Sequence, residues 1–418
     1  MKYLMSISGT IPHAGIENIN IPLNGRNLII TGKNGSGKTS FLNLLTERIK
    51  LHLEKENQLK EETIRNLDLW NNIILTHTKG THDYSQAERQ INYYQERLKK
   101  INSVLQLQFK NELEFIASYD NFKSIFTSFN AIRIASIKEA KQTSSIEYEI
   151  EEAKKQLKNK QIINFGTKLE QHLINIKVSQ SLAITEDKNE IQAKKFSEWF
   201  EKFDSHLKFL FEDESTKLVF YRKNYKFKIL QNNREFDFQT LSSGYLAIFD
   251  ILADLLIRTE FFDITPEELE GIVLIDEIDA HLHISLQKKI LPFFTRLFPQ
   301  VQFIVSTHSP FVITSTDKYT TVYDISSGEF FENDLSLYSY ESVIKGLFHI
   351  DTKSDQLKIE IQTIATILNS EPNNYEKLRE TLRNITPYAK QLDVESKSFY
   401  FKALNHLLDN QELGDLDV

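Results

Sequence analysis

Short apolar segments separated by turns open the chain and predict β-strands. The first runs from Tyr3 to Ser8, the second from Glu17 to Ile21, and the third, Leu28 to Ile30, leads into a glycine-rich loop. A helix is predicted after that loop because apolar residues lie on or near one helical face: Phe41, Leu42, Leu44, Leu45 and Ile49. The pattern therefore favours a small sheet, a loop and a helix in that order.

From about residue 50 to residue 210 the pattern becomes helical. Glu, Lys, Gln and Asn dominate, and Gly and Pro are nearly absent. One segment has apolar positions spaced by three and four residues, as in a coiled coil: Tyr84, Ala87, Ile91, Tyr94, Leu98, Ile101 and Leu105. A weaker partner around Leu53, Ile64, Leu67 and Ile74, with a turn at 78–81, would complete a short helical hairpin. A second helical pair is predicted from residue 146 to 157 and from 169 to 176.

Strand patterns interrupt and follow this helical stretch. Residues 113–116 and 131–134 are predicted as strands that return to the sheet, and strands resume at 217–221 and 226–230. Two amphipathic helices follow near the end of the chain, at 357–368 and 375–385. We expect an α/β fold with three regions: a head with a mixed sheet and helices at 1–50 and 215–350, a helical insertion with a short coiled-coil hairpin at 51–214, and a C-terminal helical subdomain at 351–418.

Composition narrows the class of protein. The chain has 418 residues, 40% of them hydrophobic, which is enough for a substantial core, and contains no apolar run long enough to cross a bilayer. The N-terminus lacks the features of a signal peptide, so we expect a cytoplasmic protein that does not enter a membrane. The absence of cysteine excludes disulfides and thiolate metal sites. A net charge of -8 argues against a broad nucleic-acid-coating surface.

Residues 32–39 match the phosphate-binding loop G-x-x-x-x-G-K-T in full. The match follows an apolar strand and opens a helix, which is the context that supports it. Glycines let successive backbone N–H groups point at phosphates, aided by the helix N-terminus. Lys38 would reach the β- and γ-phosphates, and the Thr39 hydroxyl would bind Mg²⁺. The predicted ATP contacts in this segment are Gly32, Asn34, Gly35, Ser36, Gly37, Lys38, Thr39 and Ser40.

A second motif supplies two carboxylates. The continuous apolar segment from Gly271 to Ile275 ends in Asp276 and Glu277, as expected of a buried parallel strand that delivers acids to the edge of a sheet. Asp276 is predicted to hold Mg²⁺, directly or through water. Glu277 is predicted to be the general base that polarises the attacking water.

Between these motifs lies Leu241-Ser242-Ser243-Gly244-Tyr245, just before a predicted helix. It resembles the LSGGQ signature of ABC-type ATPases and departs from it at Ser243 and Tyr245. The resemblance implies that Ser242, Ser243 and Gly244 contact the γ-phosphate of ATP held by the opposite subunit of a dimer. An ordinary helix N-cap is the alternative, since Ser-Ser-Gly would serve as one.

Two further segments resemble parts of the same superfamily. Residues 278–283 resemble the loop that crosses the dimer interface, and Asp279 is a predicted ATP contact there. His281 and His283 could form a metal pair with Asp279, but capping and interface packing are the favoured alternative. Residues 303–310 resemble the last core strand with its switch histidine, which makes His308 the predicted catalytic sensor of the γ-phosphate. Gln142 is the candidate for the glutamine loop.

The ordered motifs resemble the SMC, RecF and OLD branch of ABC-type ATPases over roughly residues 1–50 and 215–325. Within it, the layout is most similar to the compact ATPases of bacterial anti-phage defence, such as the PtuA component of Septu, its retron-linked relatives, or AriA of PARIS. The resemblance implies ATP and Mg²⁺ as cofactors. It also implies an ATP-dependent head-to-head dimer or higher oligomer and a trigger that is phage-derived or DNA.

The residues after Pro310 offer a short strand pair and then helices. They lack the acid pattern of a Toprim nuclease, and no HNH cluster occurs. A separate effector protein, such as an HNH or Toprim nuclease or a toxin, is therefore expected, with this chain as its sensor or scaffold. Two alternatives stay open: a DNA-repair ATPase of the RecF type, which the acidic charge disfavours, and an ATP-clamped scaffold with little turnover, which Glu277 disfavours.

Overall fold

The computed structural model describes residues 3–11, 15–54, 59–101, 105–131, 137–140, 145–158, 163–348, 351 and 353–414. The chain forms two compact units, Met1–Val343 and Ile344–Val418. The division into a head, an insertion and a tail stays a prediction about domain limits. None of the described helices is long and apolar enough to span a bilayer.

The first unit contains the strands. They are β1 (Leu4–Ile11), β2 (Ile16–Pro22), β3 (Asn27–Thr31), β4 (Leu105–Phe109), β5 (Ser124–Phe129), β6 (Lys217–Tyr221), β7 (Lys226–Gln231), β8 (Arg234–Phe236), β9 (Glu270–Ile275), β10 (Val301–Ser306), β11 (Thr320–Asp324) and β12 (Glu329–Phe331). The α-helices that accompany them are α1 (Lys38–Leu53), α2 (Leu59–Thr76), α3 (His82–Ile101), α4 (Glu112–Asp120), α5 (Ile146–Lys158), α6 (Leu169–Thr185), α7 (Glu190–Phe211), α8 (Ser243–Phe262), α9 (Ile284–Gln287), α10 (Ile290–Leu297), α11 (Pro310–Ile313) and α12 (Tyr340–Gly346).

A six-stranded sheet in the order β12-β11-β3-β10-β9-β5 forms the centre of this unit. Its strands run parallel except for the edge strand β12, which pairs antiparallel with β11. Every residue of β3, β10 and β11 is buried, in keeping with a parallel sheet covered on both faces. Because the strands are parallel, the residues after β3, β9, β10 and β11 emerge at one edge. The expected mixed α/β sheet is thus confirmed.

A second sheet, in the order β2-β1-β4, is antiparallel, and a third has the order β6-β7-β8. Gln302 joins the second sheet to the central one. Its side-chain amide donates to the backbone oxygens of Leu4 and Arg26 at 3.0 and 2.8 Å, and its Oε1 accepts the Leu4 N–H at 2.8 Å. Burying the Gln302 side-chain amide costs little free energy because its oxygen and its NH₂ group both have hydrogen-bond partners.

Two predictions about residues 105–134 were wrong. Residues 113–116 belong to helix α4, where Asn111 caps the N-terminus by accepting the Glu114 N–H. The adjacent apolar pair Phe115 and Ile116 is buried on that helix and gives a strand-like local pattern. Leu105 begins strand β4 and does not continue the coiled-coil seam. The other predicted strand, 131–134, lies largely outside the described residues, and the strand of this region is β5.

The predicted helical hairpin is confirmed, except that Leu53 is the last residue of α1 and does not belong to the hairpin. Helices α2 and α3 form the expected hairpin and pack chiefly on each other. Helices α5 and α6 occur where they were predicted and contact each other, but α6 packs chiefly on α7, a helix that the sequence analysis did not predict. Strands β6 and β7 form the later strand pair.

The second unit contains α13 (Asp355–Ser370), α14 (Tyr375–Ile385) and α15 (Val394–Asp409). Their apolar faces form one core, which includes Ile364, Leu378, Leu382, Ala403 and Leu407. A helical C-terminal region is thus observed.

Candidate nucleotide-binding site

The loop at residues 32–37 connects β3 to α1 and has the conformation that its glycines permit. Gly32, Gly35 and Gly37 have φ values of 142°, 77° and 96°, which disfavour any side chain. A Cβ on Gly32 would also lie 2.6 Å from Ser326 Oγ. Gly37 is the N-cap residue of α1, so the free N–H groups of that helix open onto the loop.

Lys38 is buried and folds back over this loop. Its Nζ donates to the backbone oxygens of Gly32 and Lys33, at 3.1 Å each. Burial lowers the pKa of Lys38, although Glu277 and Asp276 act in the opposite direction. In the same loop the Ser36 Oγ is buried and has no hydrogen-bond partner in the described part of the chain. A loop that holds a buried cation and an unsatisfied hydroxyl can accept phosphate oxygens.

Asn34, Gly35 and Thr39 are exposed around the loop, and Ser40 is half-buried in the first turn of α1. These residues therefore lie beside the helix N-terminus that the loop opens. No side-chain contact singles out Asn34 or Ser40 within the described residues.

Asp276 follows β9 and meets residues from two other strand ends. Its Oδ2 accepts a hydrogen bond from Thr39 Oγ1 at 2.7 Å, and its Oδ1 accepts one from Ser306 Oγ at 2.5 Å. Its own N–H donates to the backbone oxygen of Phe129, at the end of β5, at 2.9 Å. The structure thus brings the predicted magnesium residues together, as two hard oxygen donors beside the phosphate loop.

Glu277 is held at the same edge by its backbone. Its φ of 46° is in the left-handed region, which is costly for a residue with a side chain. The Glu277 N–H donates to Ser306 Oγ at 2.7 Å, and the next N–H, of Ile278, donates to the Ser306 carbonyl at 3.0 Å. Ser306 therefore orients both acids, and Glu277 remains half-exposed at the edge of the site.

The residues that follow β10 complete this edge. Thr307 donates its hydroxyl to Asp279 Oδ1 at 2.5 Å and its N–H to the Ile30 carbonyl at 3.0 Å. His308 comes next and is half-buried. Its pKa is lowered by burial and by the nearby charge of Lys38, so the neutral imidazole is favoured at neutral pH.

Ser242 and Ser243 are exposed at the N-terminus of α8. Ser242 is the N-cap residue, but its side chain makes no capping hydrogen bond, so the hydroxyl is available to another group. Gly244 packs against the 281–282 loop, because a Cβ there would lie 2.6 Å from the His281 carbonyl oxygen. Tyr245 stacks on Phe211 with ring centroids 4.3 Å apart. No hydrogen bond links Ser242, Ser243 or Gly244 to the phosphate loop within the described ranges.

Two other sequence hypotheses have simple outcomes. His283 is the N-cap residue of α9 and accepts the Ser285 N–H, as the capping alternative expected. In the described part of the chain, no group of three or more His, Cys, Asp or Glu residues could hold a metal ion. Gln142 lies outside the described residues.

The structure also places residues at the site that the sequence analysis did not assign. Ser326 Oγ accepts the Lys33 N–H at 2.7 Å, and Asp324 Oδ1 accepts the Ser326 N–H at 2.8 Å. The buried Asp324 also raises the pKa of Lys38, against the larger effect of burial. The turn after β11 therefore supports the phosphate loop. The available signal was an acid, Asp324, at the end of a strand and shortly before a Ser-Ser-Gly turn.

Comparison with known proteins assigns the chain to a family. The chain belongs to the family described as "AAA domain, putative AbiEii toxin, Type IV TA system", whose model matches residues 28–314. That range includes the phosphate loop, both acids, the 242–244 segment and His308.

Among named relatives, the chain is similar to the "Retron Ec83 probable ATPase" of Escherichia coli, with 41% identity over 90 residues. It is also similar to the "Septu protein PtuA" of Bacillus thuringiensis, with 34% identity over 90 residues. These matches cover 21% and 20% of this chain and only 17% and 23% of the relatives' own lengths. The expected similarity to ATPases of retron and Septu systems is confirmed.

Among solved structures, the chain is similar to one titled "Crystal structure of the SmcHead bound to the C-winged helix domain of ScpA". The match has 13% identity, a TM-score of 0.35, and covers 77% of this chain and 94% of that chain.

Proposed function

We propose that this chain binds and hydrolyses ATP as a head-to-head dimer and is an ATP-dependent sensor or scaffold that controls a separate effector in anti-phage defence. The observation that carries the proposal is the 2.7 Å hydrogen bond between Thr39 and Asp276. It joins the phosphate loop to the strand that ends in two acids, which is the arrangement that phosphoryl transfer requires.

Lys38 is the residue that neutralises the β- and γ-phosphates. Its ammonium is bonded to two backbone carbonyls of the loop, which phosphate oxygens would replace as stronger, charged acceptors. The Ser36 hydroxyl and the N–H groups at the start of α1 supply further donors. Thr39 and Asp276 would hold Mg²⁺, which neutralises charge on the phosphates when bound.

Glu277 is the general base. Its carboxylate accepts a proton as the water oxygen forms a bond to the γ-phosphorus, and the bond from that phosphorus to the β–γ bridging oxygen breaks, so ADP and phosphate leave. Neutral His308 donates one N–H toward the γ-phosphate oxygens. Asp279, which accepts the Thr307 hydroxyl, holds the segment that carries His308.

A second copy of the chain completes the site. Ser242 and Ser243 offer uncommitted hydroxyls at an exposed helix N-terminus, which favours an anion. An anion bound there would be the γ-phosphate held by the opposite head. The sensor or scaffold role rests on the similarity to retron and Septu ATPases, and the effector is proposed as a separate nuclease or toxin.

Single-turnover hydrolysis and native mass measurement, with and without ATP, test the proposal. We expect ATP to convert monomers to dimers and Glu277→Gln to trap the dimer. Turnover without dimerisation would overturn the shared site. Dimerisation without turnover in the unmodified chain would leave ATP as a clamp and refute hydrolysis.

A further inference from the structure

A groove lies between α7 and the C-terminal end of α8. It consists of two cavities of about 600 and 250 Å³, which adjoin because they share six lining residues: Lys195, Trp199, Thr259, Glu260, Ile264 and Thr265. The larger cavity alone has the size of a typical ligand-binding pocket. None of the residues assigned above to the nucleotide site lines it.

The floor of the groove is negative. Glu260 is the half-buried acid there. Burial raises the pKa of its carboxyl group and the nearby charge of Asp263 adds to that effect, while His172 and a hydrogen bond from Trp199 lower it. Helix α8 ends two residues later, with Asp263 as its C-cap, and its last turn contains no basic residue. The negative end of the helix dipole therefore adds to the Glu260 charge without compensation from the helix itself.

One wall of the groove is aromatic. The indole of Trp199 stacks on Phe203, with ring centroids 5.3 Å apart and an interplanar angle of 9°. His172 meets the Trp199 ring nearly edge-on at 6.2 Å. Packing on both neighbours fixes the indole beside Glu260. A rigid aromatic face next to a carboxylate is the combination that binds a guanidinium or ammonium group.

The lysine side chains that line the groove are exposed, whereas Glu260 on its floor is half-buried. Lys195 and Lys202 are both exposed, and neither forms an ion pair with Glu260 within the described residues. His206 also lines the smaller cavity, and burial lowers its pKa to about 4, so it is neutral at pH 7. The groove therefore combines an acidic floor and an aromatic wall with two solvent-exposed lysines.

We propose that this groove binds a segment of a partner protein that inserts an arginine onto Glu260 and Trp199, with apolar neighbours and an acidic residue facing Lys195 or Lys202. Arginine fits better than lysine because its planar guanidinium can stack on the indole and bond a carboxylate at once. The identification of this partner protein as the controlled effector rests on the proposed function. The groove itself does not, since it is at the opposite end of α8 from Ser242, about 30 Å away for a 20-residue helix.

Tryptophan fluorescence can test the groove directly, because the chain contains only Trp70 and Trp199. In the full chain with Trp70→Phe, Trp199 is the only reporter. Three probes are titrated without nucleotide: a hexapeptide with arginine between two leucines and an aspartate beside them, the same peptide with citrulline, and N-acetyl-arginine amide. We expect the arginine peptide to cause a saturable change in Trp199 fluorescence. The citrulline peptide should bind at least ten-fold more weakly, and the amino-acid amide should also bind more weakly.

The decisive variants remove one charge each. Glu260→Gln should weaken binding of the arginine peptide at least ten-fold. Asp263→Asn should weaken it about three-fold, and asparagine tolerates the left-handed backbone of this C-cap position. Glu267→Gln is the matched control, since Glu267 is exposed nearby but does not line the groove. Each variant must retain the parent's circular dichroism spectrum and melting temperature, which shows that it is folded.

Several results would overturn the inference. They are no saturable change with any arginine probe at millimolar concentration, equal binding by the Glu260→Gln chain, equal loss in the Glu267→Gln control, or equal affinity for the amino-acid amide, which would indicate a small-molecule site. Because no nucleotide is present, these outcomes are distinct from a failure of ATP hydrolysis.

Discussion

The edge of the central sheet and the α2–α3 hairpin differ in how their residues are held. At the sheet edge, Thr39 and Asp276 are 237 positions apart in sequence and 2.7 Å apart in space, and Ser306 bonds the same carboxylate. In the hairpin, α2 and α3 pack chiefly on each other, and Leu69, Leu75 and Tyr93 are exposed. The first region is defined by contacts between distant segments, the second by neighbours in sequence.

This difference suggests separate roles for the two regions: the sheet edge for chemistry and the hairpin for association. Buried polar groups at the sheet edge satisfy one another, so removing one partner should cost much of the function. Substitutions in a two-helix hairpin should have little effect on the nucleotide site. The exposed apolar side chains of the hairpin form a surface that a partner could bind. The predictions below test whether substitutions in the two regions have separate consequences.

The largest effect is expected from Glu277→Gln. The amide keeps the shape of the side chain but cannot accept the proton of water, so the rate of hydrolysis should fall about 1,000-fold while ATP affinity is retained. Single-turnover hydrolysis and equilibrium ATP binding measure the two quantities. The exposed Glu329→Gln is the control. Full turnover by the Glu277→Gln chain would assign the base to another residue.

Lys38→Ala should weaken ATP binding by about 100-fold, on the order of 3 kcal/mol, because a buried cation no longer meets the phosphates. Titration with a fluorescent ATP analogue measures the affinity. Lys33→Ala is the matched control, since the Lys33 side chain is exposed and the loop uses its backbone N–H and carbonyl groups, which alanine keeps. Near-native affinity in the Lys38→Ala chain would refute the role of this loop.

Ser326→Ala should raise the ATP dissociation constant about three- to ten-fold and leave the maximal rate unchanged. The substitution removes the acceptor of the Lys33 N–H, which destabilises the loop by about 1 kcal/mol. It leaves the side chains of Asp276 and Glu277 unchanged. Steady-state kinetics separates the two parameters. Ser327→Ala is the control, because that hydroxyl bonds Asp324 instead of the loop. Equal effects of both substitutions would mean general destabilisation of the turn.

The smallest effect on hydrolysis is expected from Ile91→Asp combined with Leu98→Asp in the hairpin seam. Both side chains are partly buried there, so the charges should separate α2 from α3 while the ATPase rate stays within about two-fold. Native mass measurement should show weaker assembly or effector binding. Unchanged assembly and binding would assign the hairpin no role in association, and lost hydrolysis would erase the distinction between the two regions.

Local patterns accounted for a large part of this architecture. The 3.6-residue spacing of apolar positions is enough to identify α3, α13 and α14, because each helix buries one face. The phosphate loop and the acids after β9 could be recognised because glycines and terminal carboxylates occupy fixed positions around a buried strand. The error at residues 113–116 has the opposite cause, since two adjacent buried apolar residues suit a strand or a helix equally well and the Asn111 cap decided between them.

The sequence by itself determined the identity of the chemical groups, the phosphate loop and the periodicity of the long helices, since these depend on spacing along the chain. Only the tertiary structure decided that β5 lies beside β9, that Ser306 orients both acids, and that the turn after β11 supports the loop. It also decided that Trp199 and Glu260 face one groove. The physical reason is that parallel strands bring together residues hundreds of positions apart, and hydrogen bonds between such residues leave no periodic signal in the sequence.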